Sequence, residues 1–299
     1  NGQRNLSVSD LVFIIAPRIN AAGRMDDANK AVALFVEDDL EKSKLLAEEL
    51  LINNNDRKEI DKSTTDEALG MLEEVKSKNR FATILYQPYW HKGVIGIVAS
   101  RMIDHYYRPT IVLTQGQDNK ITGSARSIHG FNIHDAIQAC SHLLDNFGGH
   151  FFAAGLTMPE SNLSDFIDQF EEIVSNTIDK ENLIPIVSID TIIQLNEITP
   201  NFYKIIQQFE PFGPENMRPV FIAQSVKPIH FRLLKKQHIK LIVSQNNSRP
   251  IDGVGFNMAD KFEILSKSEL IDIVFTLEEN HWNGQTSLQL KLIDIKVAK

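Results

Sequence analysis

The 299-residue sequence contains one cysteine, Cys140, so an internal disulfide and a CxxC-type metal site are both excluded, and a reducing compartment is the natural setting. No run of about 18 apolar residues occurs, and the opening "NGQRNLSVSD" lacks the apolar stretch of a signal peptide. The expectation is a soluble, cytoplasmic chain without membrane association. Six of the nine histidines, His91, His105, His129, His134, His142 and His150, fall between 81 and 157, which draws attention to metals. The motifs that hold metals are missing: there is no HExxH, no H-x-H and no Asp-x-Asp. No metal ligands are therefore assigned within the chain.

What is present is ordinary in bulk and uneven in distribution. With 42% hydrophobic and 23% charged residues, the chain has the composition of a globular protein of two or three domains. Residues 1–180 carry 18 Lys and Arg against 26 Asp and Glu, whereas 181–299 carry 13 of each. Within the balanced half, "KPIHFRLLKKQHIK" (227–240) holds five basic residues, two histidines, one phenylalanine and no acid. Local field steers a polyanion better than net charge does, so the strip reads either as a nucleic-acid track or as a solvated hairpin face.

Periodicity organises the rest. "SVSDLVFIIAPRINAAGRM" suggests a short helix stopped before Pro17, an irregular connection holding Arg18 to Arg24, and a new helix from about Asp26. Asp39 to about Val75 forms a long polar helix with a thin stripe of Leu45, Leu46, Leu50, Leu51, Ile60, Ala68, Leu69 and Leu72, as suits a helix bridging domains; a boundary falls near Lys78. Strands at 81–87 and 109–114 flank a helix at 93–107, which implies a parallel pair, and "KITGSAR" (120–126) is a third strand. A helix from Asn132, its N-cap, carries apolar positions through Phe147, and another follows Ser161 or Asn162. From about Asn182 the texture turns to β, with one helix in "TPNFYKIIQQF" and turns at "QNNS" and "NHWNGQ". Five or six strands suggest a small OB-type barrel, with a sandwich as the alternative. The fold class expected is α/β plus β.

Three short motifs could carry chemistry. In "NFGGHFFAAGLTM" (146–158), Gly148 or Gly149 reads as a left-handed C-cap of the preceding helix. One glycine would suffice for that, and the second, with His150 and "AAG", clears the bulk that keeps a phosphate from backbone N–H groups. Arg24 in "INAAGR" and Arg126 in "GSAR" stand among small residues; each reads either as a salt-bridge partner or as a fork for phosphate oxygens.

Taken in order, "APRINAAGRM", "WHKGVIGIVASRM" with "RPTIVLT", "GSARS", "FGGHFFAAGLTM" and "EPFGPENMRPVF" resemble the RecJ single-stranded-DNA-specific exonucleases of the DHH phosphoesterase superfamily, over nearly the whole chain. The resemblance implies a catalytic domain whose end corresponds to residues 1–36, a connecting helix at 37–78, a DHH-associated α/β domain with a mixed sheet at 79–180, and an OB-fold at 181–299. It also implies 5′→3′ hydrolysis of single-stranded DNA to mononucleotides in DNA repair and recombination, with single-stranded DNA and other repair proteins as partners. In such enzymes two Mn²⁺ or Mg²⁺ ions generate the attacking hydroxide and stabilise the leaving oxygen. By motif matching, Asn20 and Arg24 would contact DNA beside the metal centre, and Ser124 and Arg126 would hold the 5′-terminal phosphate. Gly148, Gly149 and His150 would line the channel, His150 nearest the ions. On the barrel, Arg232, Lys235 and Lys236 would form a cationic track with Phe231 as a stacking platform.

Two departures stand out. No Asp-His-His triplet occurs, so the ion ligands are expected upstream of Asn1, and the chain is expected to be a C-terminal portion that binds DNA without cutting it. Glu215 stands where many relatives have glycine. The alternatives are a non-catalytic strand-binding accessory protein and a small-nucleotide phosphodiesterase, the latter disfavoured by the β-rich tail.

Overall fold

The computed structural model describes residue 6 and residues 8–298, apart from 117, 214, 247 and 283. Asn247 and Asn283 of the two expected turns, and Pro214 of "PFGPENMRPVF", thus lie outside the described residues. The chain divides into two compact units between Pro185 and Ile186. No helix among the described residues is long and apolar enough to cross a membrane.

The first unit opens with an unbroken helical run: α1 (Val8–Asp10), a π-helical turn over Leu11–Ile15, and α2 (Ala16–Met25). This corrects the expected break at Pro17. Pro17 lies inside the run, just after the wide π turn, and that wider turn takes in the ring that a regular α-helix would clash with. Asn20 and Arg24 are therefore one helical turn apart on a common face, both exposed, and do not lie in a connection.

After α3 (Asn29–Val36) comes α4 (Leu40–Ser77), whose 38 residues span about 57 Å. The Asp39 carboxylate caps it, accepting from the N–H groups of Glu41 and Lys42. Its sparse stripe is buried at two places. Leu50 packs with Ala22 and Ala31, while Ala68 and Leu72 join a second cluster further along; Leu45 and Leu51 stay exposed. Between these points lies a polar joint, in which buried Asp61 pairs with Arg101 at 2.7 Å and Arg57 at 3.4 Å.

A five-stranded sheet follows, in the order β1 (Thr83–Tyr86), β2 (Thr110–Gln115), β3 (Lys120–Arg126), β5 (Ala153–Pro159), β4 (Asn146–His150). Only β1 and β2 are parallel, joined through α5 (Ile95–His105), so the sheet is mixed as expected. One face carries Ile111, Leu113, Ile121, Ala125, Leu156 and Met158 against Phe166, Phe170 and Val174 of α7 (Leu163–Thr177) and Ile133 and Ile137 of α6 (Ile133–Ala139). On the other face, Leu85 and Val112 meet Ile95, Val98 and Met102 of α5 and the second cluster of α4.

Asn132 does cap α6, accepting from the His134 N–H, but the Asn162 side chain does not cap α7: its oxygen accepts from the Ser161 hydroxyl and its NH2 donates to the Leu143 carbonyl. The larger correction concerns Gly148. Helix α6 stops at Ala139, a 3₁₀ turn covers Ser141–Leu143, and Asn146–His150 is already strand β4, so no helix end falls at the glycines. Leu143, Leu144 and Phe147 have helical spacing, yet they reach the core from a turn and a strand.

The second unit is a closed barrel. Strands β7 (Phe221–Leu234), β8 (His238–Ser244), β9 (Ile251–Gly255), β11 (Gln285–Val297) and β10 (Ile271–Trp282) pair in that order, and β10 returns to pair with β7. A two-residue β6 (Thr191–Ile192) lies parallel to β7. The alternation of β8 drives Ile239, Leu241 and Val243 inward to meet Phe275, Leu277, Leu290 and Leu292, while α8 (Pro200–Gln207) adds Tyr203 and Ile206 and α9 (Phe262–Lys267) adds Leu265. Five strands closed in this way make an OB-like barrel and rule out the sandwich. Glu215 holds a left-handed φ of +67°, the region that glycine favours.

Candidate nucleic-acid interface

Strand β3 places the first part of the site. Side chains alternate across a sheet, so Ile121, Gly123 and Ala125 enter the core under α7, and Lys120, Thr122, Ser124 and Arg126 share the opposite face. The register extends this polar face sideways. Arg126 lies across from Ala153 and then His150, Ser124 from Gly155 and Gly148, and Thr122 from Thr157 and Asn146. Successive rows are about 7 Å apart and neighbouring strands about 4.8 Å. Helix α5 covers this face over β2 and β3, where Val112 is buried beneath it. Over β5 and β4, Thr122, Asn146, Gly148, Gly155 and Thr157 line an open groove of about 400 Å³.

The two glycines differ in role. A Cβ on Gly148 would meet nothing within 4 Å, so its bareness leaves the floor of the groove low. Gly149 has φ +152°, and a Cβ there would fall 2.3 Å from the Ala153 carbonyl oxygen and 2.5 Å from Ala154 Cα. Only glycine lets β4 pair so closely with β5 at that point. Beyond His150, the exposed rings of Phe151 and Phe152 meet edge to face at the hairpin tip.

At the other end of the row, Arg126 Nη1 donates to Ser124 Oγ at 2.9 Å and to the Ala125 carbonyl at 2.8 Å. Partial burial pulls the Arg126 pKa below its ordinary value, and the nearby charge of Arg24 adds to the effect. Neither arginine forms an ion pair with a carboxylate among the described residues, which sets aside the salt-bridge reading of both. Two cations near each other, with no carboxylate partner among the described residues, leave a local excess of positive charge.

Sequence reading missed the segment that joins them. Gly93 has no room for a side chain, since a Cβ would lie 2.2 Å from the Arg24 carbonyl oxygen, so α2 seats directly on the approach to α5. The signal was visible as paired glycines in "KGVIG". Nearby, His91, Lys92, Gln115, Lys120 and Thr122 line a pocket of about 650 Å³ that shares Thr122 and Thr157 with the groove. Cys140 takes no part, being buried, with its thiol pushed up to about 11.

On the barrel, Arg232 of β7 stands across from Lys240 of β8, and Lys235 and Lys236 occupy the hairpin tip between them, both with left-handed φ. Phe231 does not stand free. Its ring packs on the barrel core and meets Phe262 edge on. The exposed ring beside this strip is Phe256, in contact with His238.

A DHHA1 domain model matches residues 79–176 and a RecJ OB domain model matches 189–294. Over 96% of its length the chain is 34% identical to a Bacillus subtilis protein named single-stranded-DNA-specific exonuclease RecJ. The chain belongs to the RecJ family. It superposes on RecJ of Thermus thermophilus in complexes with Mg²⁺ and with Mn²⁺, with TM-scores of 0.82 and 0.83, 26% identity and 97% of this chain covered. It spans 37% of the Bacillus RecJ and 44% and 42% of the Thermus RecJ chains. The solved RecJ complexes hold divalent ions, but among the described residues here no group of three or more His, Cys, Asp or Glu side chains could hold one. His150, expected nearest the ions, is exposed at the end of β4 without such partners.

Proposed function

We propose that this chain is the strand-holding part of a single-stranded-DNA-specific exonuclease that acts 5′→3′ in DNA repair and recombination. The nearness of Arg24 to Arg126, two arginines with no carboxylate partner among the described residues, carries this reading. The 5′-terminal phosphate sits in the fork of Arg126, with Ser124 orienting the guanidinium and Arg24 supplying the second positive charge from α2, beside Asn20. From there the strand runs over Gly155 and Gly148 towards His150, where the absence of side chains lets the sugar–phosphate chain lie against the sheet. The barrel binds single-stranded DNA by charge, through Arg232, Lys235 and Lys236. The likeness to proteins named as single-stranded-DNA-specific exonucleases supports the substrate class. Hydrolysis calls for ion ligands that the described residues do not supply, so the chain alone binds and does not cut.

The experiment compares binding of 5′-phosphorylated and 5′-hydroxyl oligonucleotides of one sequence. The phosphorylated strand should bind more tightly, and Arg126→Ala should remove most of that preference, a loss of roughly tenfold or more for a hydrogen-bonded charge pair. Equal losses for the two oligonucleotides would place Arg126 outside the phosphate site. Robust release of mononucleotides by the chain alone with Mn²⁺ would overturn the assignment of a purely holding role.

A further inference from the structure

We infer that Gly96 is a positioning residue that sets the aim of the Arg126 fork; the inference rests on the reading of Arg126 as the phosphate-holding group. Gly96 lies in the first turn of α5, a helix otherwise built from good core residues. Glycine is a poor choice in a helix unless its missing side chain is used. The contrast with Gly70 of α4 is direct: a Cβ on Gly70 would meet nothing within 4 Å, so alanine fits there. At Gly96 the Cβ position is taken, with Arg126 Nη2 at 2.8 Å, Ser124 Oγ at 2.9 Å and Arg126 Cζ at 3.6 Å.

The guanidinium thus occupies the space of an absent side chain. From the strand side, Nη1 is held by Ser124 Oγ and the Ala125 carbonyl; from the helix side, Nη2 lies against the bare backbone of Gly96. With both nitrogens confined, the plane of the fork is fixed relative to Arg24, and a planar fork in one orientation discriminates between anions by geometry. A methyl group at 96 would displace the guanidinium tip or the Ser124 hydroxyl, both of which are side-chain atoms that can move, so the fold tolerates it. The displaced arginine keeps its charge and loses its aim.

The test uses the 299-residue chain and the same two oligonucleotides. In Gly96→Ala the ratio of affinities for phosphorylated over hydroxyl ends should fall by roughly tenfold. The same change at Gly70 should leave the ratio untouched. In an Arg126→Ala background, Gly96→Ala should cause no further fall, because the contact it breaks is already gone. If Arg126→Ala abolishes the preference while Gly96→Ala retains it, the positioning role is overturned and the phosphate site stands. If Arg126→Ala itself retains the preference, the phosphate site falls. Should Gly96→Ala fail to fold, refolding on addition of Arg126→Ala would locate the clash at the fork and support the role, whereas failure of the double variant would refute it.

Discussion

The two cationic surfaces of this molecule are built on opposite plans. In the first unit, Arg126 is half-buried, tied to Ser124 and its own strand, and near enough to Arg24 to feel its charge. In the barrel, Arg232, Lys235 and Lys236 stand exposed on one hairpin, and no ion pair among the described residues holds their ends. Confinement makes an arginine selective for one anion geometry, whereas exposure leaves lysines to act as mobile charge that any phosphate chain satisfies. The difference teaches that the fold holds one cation in a fixed place and leaves the others free to move.

Substitutions can break this contrast, beginning with the largest effect. Gly149→Ala should destabilise the first unit by about 3 kcal/mol, since the new methyl meets backbone atoms that cannot move aside and φ is unsuited to it. Chemical denaturation would measure the loss, and a cost under about 1 kcal/mol would show that the glycine is not needed for the β4–β5 pairing. Next come the two phenylalanines of the barrel. Phe231→Ala should cost about 2–3 kcal/mol of stability through lost packing against the core and Phe262. Phe256→Ala should leave the melting temperature nearly unchanged and weaken oligonucleotide binding by roughly tenfold through a lost stacking surface. Interchange of these outcomes would return the stacking role to Phe231.

The lysine tip offers a subtler test. Both residues hold left-handed φ in a tight hairpin that Asn-Gly would suit better. Replacing Lys235–Lys236 by Asn-Gly should stabilise the barrel by about 1 kcal/mol and flatten the salt dependence of binding by about 1.4 in log–log slope. An unchanged slope would make the strip a merely solvated face. Smallest is Glu215→Gly, expected to stabilise by about 0.5 kcal/mol through relief of its left-handed backbone; destabilisation would mean that the Glu215 side chain is needed in that loop.

Much of this design was legible beforehand, for reasons that are local. The polar side of "KITGSAR" follows from strand alternation, and the long helix from its polar periodicity and its Asp39 cap. The parallel pair followed from the strand, helix, strand order. Errors arose where a non-local contact overrode a local signal. Leu143, Leu144 and Phe147 continue a helical spacing, but pairing of β4 with β5 draws Asn146–His150 into the sheet. Pro17 reads as a stop, yet the π turn before it takes in the ring and the helical run continues through it. Phe231 sits in a basic stretch, and only the position of Phe262 shows that its ring faces inward.

The amino-acid sequence by itself determined the inventory: which arginines stand among small residues, where glycine is doubled, where positive charge gathers, and which family these motifs resemble. Tertiary structure alone decided that Arg24, from a helix, and Arg126, from a strand, would stand near each other with no carboxylate partner among the described residues, and that Gly93 and Gly96 would make the room for it. The physical reason is that like charges do not gather of their own accord. Their approach depends on packing α5 onto the sheet and α2 onto α3 and α4, and that packing is supplied by the buried faces of both helices and by the absence of two side chains.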